Sequence, residues 1–165
     1  MIFLFCKEDI YSKKAIKIAN EFFKNKEIMI YKGNRFKPFP KINNSIKPNI
    51  IISFLSPWVI PESLLFKSKL SINFHPGTHH YPGTGCYNFA LYENAIKYGS
   101  VCHHMNRSVD TGYIIDEKTF FSGNVKSVLE LKTLTMNSMI KQFEKIILII
   151  SKNKKLPKTN IQWSR

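Results

Sequence analysis

Asn49-Ile50-Ile51-Ile52-Ser53-Phe54-Leu55 is a nearly unbroken apolar run. A strand with one wet face alternates polar and apolar residues; a strand covered on both faces does not. The stretch therefore predicts a buried parallel strand, and parallel strands need crossover connections. The chain on either side supplies them. Upstream, Ile2 to Cys6 is another unbroken run, and Asp9 suits the cap of a helix carrying Ala15, Ile18, Ala19, Phe22 and Phe23 at helical spacing. Glu27 to Tyr31 reads as a strand, and Lys32 to Lys47, with Gly33, Pro38 and Pro40, as a loop. Downstream, Pro61-Glu62-Ser63 opens a short helix and Lys69 to Phe74 forms the next strand. Cys86 to Lys97 is expected as a helix packing Phe89, Ala90 and Ile96. Ser100 to Met105 and Tyr113 to Phe120 are strands, the last near a sheet edge. Val125 to Ile150 is a helix whose buried face runs through Val128, Leu131, Leu134/Thr135, Met139, Phe143, Ile146/Ile147 and Ile150. The alternation implies a single α/β domain with a mostly parallel, twisted sheet flanked by helices. Residues 1–156 form that domain and residues 157–165 a tail.

The 165 residues suffice for one real core. No segment has the apolar length of a membrane span, and Met1 to Cys6 lacks the features of a leader, so a cytoplasmic protein with no membrane partner is expected. Cys6, Cys86 and Cys102 are odd in number and widely spaced, against a disulfide framework or a zinc site. Cys6 and Cys102 are expected to be buried, and Cys86, after a Gly-rich loop, partly exposed. The net charge of +14 favours anionic ligands, but its lysines are scattered and no basic block marks a nucleic-acid arm, so no nucleic-acid partner is expected.

Chemistry concentrates at Ser71-Ile72-Asn73-Phe74-His75-Pro76-Gly77 and at Val109-Asp110-Thr111-Gly112. Asn73 and His75 are two apart at a strand end and share a face. An amide can donate to a developing oxyanion, an imidazole can carry a proton, and a carboxylate can orient the imidazole. That set suits acyl transfer to an amine. The bland alternative is an Asn and a His capping a turn, with an Asx-type turn at Asp110. Ligand sites in parallel sheets lie outside the carboxyl ends of the strands. The loops carrying His75 and Asp110 are both expected at that edge.

Asn73-Phe74-His75-Pro76, the loop to Gly85 and Val109-Asp110-Thr111-Gly112 resemble the folate-dependent formyltransferases, over roughly Asn49 to Phe121. The resemblance implies a Rossmann-like formyltransferase core, with 10-formyltetrahydrofolate as formyl donor and no metal. It implies catalytic roles for Asn73, His75 and Asp110, and matches the family's second histidine to His103 rather than His104. The donor would contact Ser53, Phe54, Trp58, Val59, Ile60, His103, Met105, Asn106 and Val109.

The loop Pro82-Gly83-Thr84-Gly85-Cys86-Tyr87-Asn88-Phe89-Ala90 is most similar to the small sugar-nucleotide N-formyltransferases. It departs from the Ser-Leu-Leu-Pro of the purine and tRNA enzymes. The implied acceptor is the primary amine of a nucleoside-diphosphate amino sugar, with Gly77, Tyr81, Gly83 and Tyr87 as substrate contacts and His79 and His80 at the rim. The turn Cys6-Lys7-Glu8-Asp9-Ile10 lacks glycine and carries two acids, a poor phosphate cradle for a purine enzyme. Glycinamide ribonucleotide or methionyl-tRNA formyltransferase, and a non-catalytic folate- or nucleotide-binding protein of this fold, remain as alternatives. A homodimer is left open, through the Val125–Ile150 helix or through the Lys158–Arg165 tail with Trp163.

Overall fold

The computed structural model describes residues 1–164. In chain order the elements are β1 (Ile2–Lys7), α1 (Ile10–Phe22), β2 (Ile28–Gly33), β3 (Ile50–Phe54), α2 (Glu62–Leu65), β4 (Leu70–His75), α3 (Cys86–Tyr92), β5 (Lys97–His104), β6 (Ile114–Phe121) and α4 (Val128–Ser151). One six-stranded sheet has the order β2-β1-β3-β4-β5-β6. Strands β1 to β4 are parallel, while β5 runs antiparallel to β4 and β6 antiparallel to β5. No helix among the described residues is long and apolar enough to cross a membrane.

The unbroken runs arise because both sheet faces are covered. Ile2, Leu4, Ile52, Phe54, Ile72, Phe74 and Cys102 pack with residues of α1 and α4. Phe3, Phe5 and Ile51 point the other way, into a smaller cluster with Ile60, Leu64, Phe39, Trp58 and Met105. Asp9 caps α1 as expected, accepting from Ser12 N at 2.7 Å. The α4 stripe is anchored by Phe143, whose ring lies 5.1 Å from Phe54 and 4.9 Å from Phe74.

Two local expectations need correction. Helix α3 ends at Tyr92, because Asn94 takes a left-handed φ of 53° and turns the chain into β5 three residues earlier than expected. Phe89 and Ile96, assigned to a buried helix face, are 57% and 66% exposed. On α4, Val128 and Leu134 lie toward solvent; Thr135 of the expected pair is buried, and the stripe also takes in the polar Gln142. Burial of Gln142 is compensated: its Nε2 donates to Asp116 Oδ2 at 2.9 Å, and Ser100 Oγ donates to its Oε1 at 2.8 Å.

The reversal of β5 decides where its neighbouring loop falls. Its last residues do not reach the carboxyl edge of the parallel strands, where the sequence reading places them. His103 and His104 lie opposite Asn73 and Ile72, inside the sheet. The chain then makes a loop closed at its base by His104 N donating to Tyr113 O at 2.9 Å. That loop folds back to bring Asp110 to β4.

Candidate active site

Asn73 and His75 share the face of β4 that no long helix covers. His103 is directly across from Asn73 on the antiparallel neighbour, so its ring falls on that same face. Asp110 sits among the three. Its Oδ1 is 3.1 Å from His103 Nε2 and 3.4 Å from Asn73 Nδ2, and its Oδ2 is 3.1 Å from His75 Nδ1. Gly83 N donates to Oδ2 at 2.9 Å. The Asn73 amide nitrogen is also 3.1 Å from His103 Nε2.

The side chains of Asp110, His75 and His103 are all at most 5% exposed. Burial alone pushes the Asp110 carboxyl up. Hydrogen bonds from His103 and His75, the charge of His75 and the Gly83 N–H outweigh it, and hold the group well below the usual carboxylate range. The outer nitrogens are fixed too, His75 Nε2 at 2.7 Å from Tyr81 O and His103 Nδ1 at 2.8 Å from His104 O. Asp110 has φ 49°, a left-handed geometry that Asp tolerates better than most residues. Gly112 is required nearby, since a Cβ there would collide with His104 O.

Two cavities meet at this cluster. The first, of about 290 Å³, is bounded by Ser53, Trp58, Val59, Ile60, Met105, Asn106, Val109 and the four residues of the cluster. Leu55, with a strained φ of 55°, turns the chain from β3 into its wall. Trp58 is locked in place by Nε1 donating to Lys37 O at 2.8 Å and by edge contact with Phe39. The irregular stretch after β2 thus supports the cavity. The second cavity, of about 790 Å³, is walled by Pro82, Thr111 to Ile114 and Ile161 to Ser164. Gly83, Asn106, Val109 and Asp110 line both.

Most of the residues assigned to the donor border the first cavity, including His103. Phe54 does not. Strand alternation turns it to the helix-covered face, where it is fully buried against Phe74 and Phe143. Of the expected acceptor contacts only Gly83 reaches a cavity. Gly77 lies beneath His75, and a Cβ there would be 2.6 Å from His75 Nε2, so it makes room for the ring. Tyr81 points away and donates to Glu93 Oε2 at 2.8 Å; burial and that carboxylate push its hydroxyl up to about 12. Tyr87 is packed between core clusters, where burial pushes its hydroxyl up. Cys86, expected to be partly exposed, is buried, and burial raises its thiol. His79 is tied to Glu117, its Nδ1 2.8 Å from Oε1. Leu65 and Trp163 reach the cavities with no motif to announce them, and Thr84 does so from within the Gly-rich loop.

The first cavity fits a flat heterocycle: apolar walls from Trp58, Val59, Ile60 and Leu65, with Ser53, Asn106 and Asp110 as polar anchors.

No protein-family model and no curated protein matches the chain. Solved structures do. A 4-N formyltransferase from Francisella tularensis is 20% identical, with 99% of this chain and 74% of that one covered and a TM-score of 0.75. An N-formyltransferase from Helicobacter canadensis, solved with folinic acid and dTDP-3-aminofucose, is 20% identical over 99% and 70%, with a TM-score of 0.80. Phosphoribosylglycinamide formyltransferase from Anaplasma phagocytophilum is 10% identical over 98% and 95%, with a TM-score of 0.70. The chain has the fold shared by these formyltransferases.

Proposed function

We propose that this chain of formyltransferase fold moves a formyl group from 10-formyltetrahydrofolate to the primary amine of a nucleotide-linked amino sugar. The observation that carries the reading is the Asn73–His75–His103–Asp110 cluster placed where two cavities meet, one of about 290 Å³ with mostly apolar walls, the other of about 790 Å³. A donor in the first and an amine entering from the second would meet at Asp110.

The donor supplies a formyl carbon on a nitrogen leaving group. The uncharged amine forms the new C–N bond, the old C–N bond breaks, and the proton lost by the amine goes to the departing nitrogen. Asn73 Nδ2 stands ready to donate to the negative charge developing on the formyl oxygen. A donor of this kind is worth about 3–4 kcal/mol of barrier. His75, held between Asp110 and Tyr81 O, shares with Asn73 the stabilisation of that oxyanion. Asp110 stays ionised, balances charge on the imidazoles and receives no proton itself.

The acceptor class rests on three supports. The second cavity presents the ring of Tyr113 with the neutral polar groups of Thr111, Gln162 and Ser164, suited to a sugar and base. The Helicobacter canadensis protein of the same fold was solved with a dTDP-amino sugar. The purine alternative is weakened at α1, whose N-terminus is already capped by Asp9 and flanked by Glu8.

The test is formyl transfer to a panel of UDP- and dTDP-linked amino sugars, followed by mass, with glycinamide ribonucleotide and methionyl-tRNA as further acceptors. One formyl mass added to a nucleotide sugar is the expected result. Transfer to glycinamide ribonucleotide or to the tRNA alone would overturn the acceptor class.

A further inference from the structure

The segment after α4 returns to the sheet. Thr159 Oγ1 donates to Ile114 O at 2.8 Å, Trp163 Nε1 to Gly112 O at 2.8 Å, and Ser164 N to His79 O at 2.9 Å. His80 Nδ1 is 2.9 Å from Ser164 Oγ. These attachments to separate parts of the chain set the Trp163 ring in one place. It stands edge-to-face against both imidazoles of the cluster, 5.7 Å and 75° from His75, 5.1 Å and 90° from His103.

Each imidazole is fixed at its two nitrogens, His103 by hydrogen bonds to Asp110 Oδ1 and His104 O, His75 by a hydrogen bond to Tyr81 O and a 3.1 Å contact with Asp110 Oδ2. Such bonds fix where the nitrogens sit but resist tilting of the ring only weakly. A steep aromatic contact resists tilt directly. One indole against two rings therefore supplies a restraint that the polar network lacks.

We propose that Trp163 is a positioning residue, acting through His75 and His103; its role in turnover rests on the formyl-transfer reading. It holds both imidazoles upright toward Asp110. The reacting groups then meet Asn73 and His75 without rearrangement, and misplacement by about 1 Å costs roughly a hundredfold.

The test compares Trp163→Ala and Trp163→Phe with the parent chain. Trp163→Ala is expected to lower kcat by about tenfold or more while leaving the KM for the folate donor within about twofold. Trp163→Phe, which keeps a ring but not the indole N–H, is expected to recover most of the loss. A second readout needs no catalysis. The ring-proton NMR signals of His75 and His103 should both move in Trp163→Ala, because the indole ring current is gone. Unchanged kcat in Trp163→Ala overturns the proposal. So do unmoved histidine signals, or a rate loss that merely follows the unfolded fraction. A parent chain that formylates no acceptor sinks the functional reading instead, and exchange broadening of the histidine ring signals in Trp163→Ala, which loss of the ring current alone does not produce, then decides whether the indole holds the rings.

Discussion

Asp110 is the residue on which the site turns. It is buried, ionised and in contact with both histidines, Asn73 and the Gly83 N–H. Its folded pKa lies below its ordinary value of 3.8, so the ionised carboxylate is favoured more by the folded chain than by the unfolded one. The resulting stabilisation is complete above about pH 4 and is lost as pH falls from there toward the folded value. Asp110→Asn keeps the shape and tolerates the left-handed backbone. The variant should unfold more easily than the parent near neutrality, and the two melting curves should converge as the buffer is taken from about pH 5 to about pH 2. A gap that stays constant over that range would show that the carboxylate charge contributes nothing. The residue pattern was readable in part. Asn73 and His75 two apart on a strand had to share a face. Phe54 next to Ser53 had to point the other way, and the resemblance hid that alternation.

Elements bring the residues together in a way that strand order alone did not disclose. The expectation put the Asp110 loop at the carboxyl edge, as for a parallel strand. In the structure β5 is antiparallel, and the 105–113 loop closes on itself beside His104. Direction was hidden because a short buried strand reads the same forward or reversed. Gly112 makes the closure possible. Gly112→Ala would drive a Cβ into the His104 carbonyl, and we expect a loss of about 1–3 kcal/mol in denaturant unfolding together with loss of activity. A variant as stable and active as the parent would contradict the close approach. The segment carrying Trp163 was equally hidden. A lone tryptophan in a polar stretch gives no periodicity, and its partners at Gly112, His75 and His103 are far away in sequence.

At the scale of the molecule, the sheet divides labour between its faces. One carries α1, α4 and the main core; the other carries the smaller aromatic cluster and the site. Unbroken apolar runs made the first half of the sheet legible, since double coverage leaves that mark. The covered face should tolerate damage independently of the chemistry. Phe143→Ala removes a ring buried against Phe54 and Phe74 and should cost about 3–5 kcal/mol in stability. Turnover per folded molecule should remain near that of the parent, measured well below the variant's melting temperature. A selective loss of kcat in a fully folded sample would mean that the two faces are coupled.

Everything proposed for the molecule depends on the Asn73–His75–Asp110 cluster passing a formyl group straight to an amine. The decisive experiment uses 10-formyltetrahydrofolate carrying ¹³C in the formyl group, with the acceptor followed by NMR. The parent chain should move the label into a formamide on the amino sugar. Asn73→Ala, still folded, should do so roughly a hundredfold to a thousandfold more slowly. Label released as free formate whether or not an acceptor is present, or a rate unchanged in Asn73→Ala, would overturn direct transfer at this cluster.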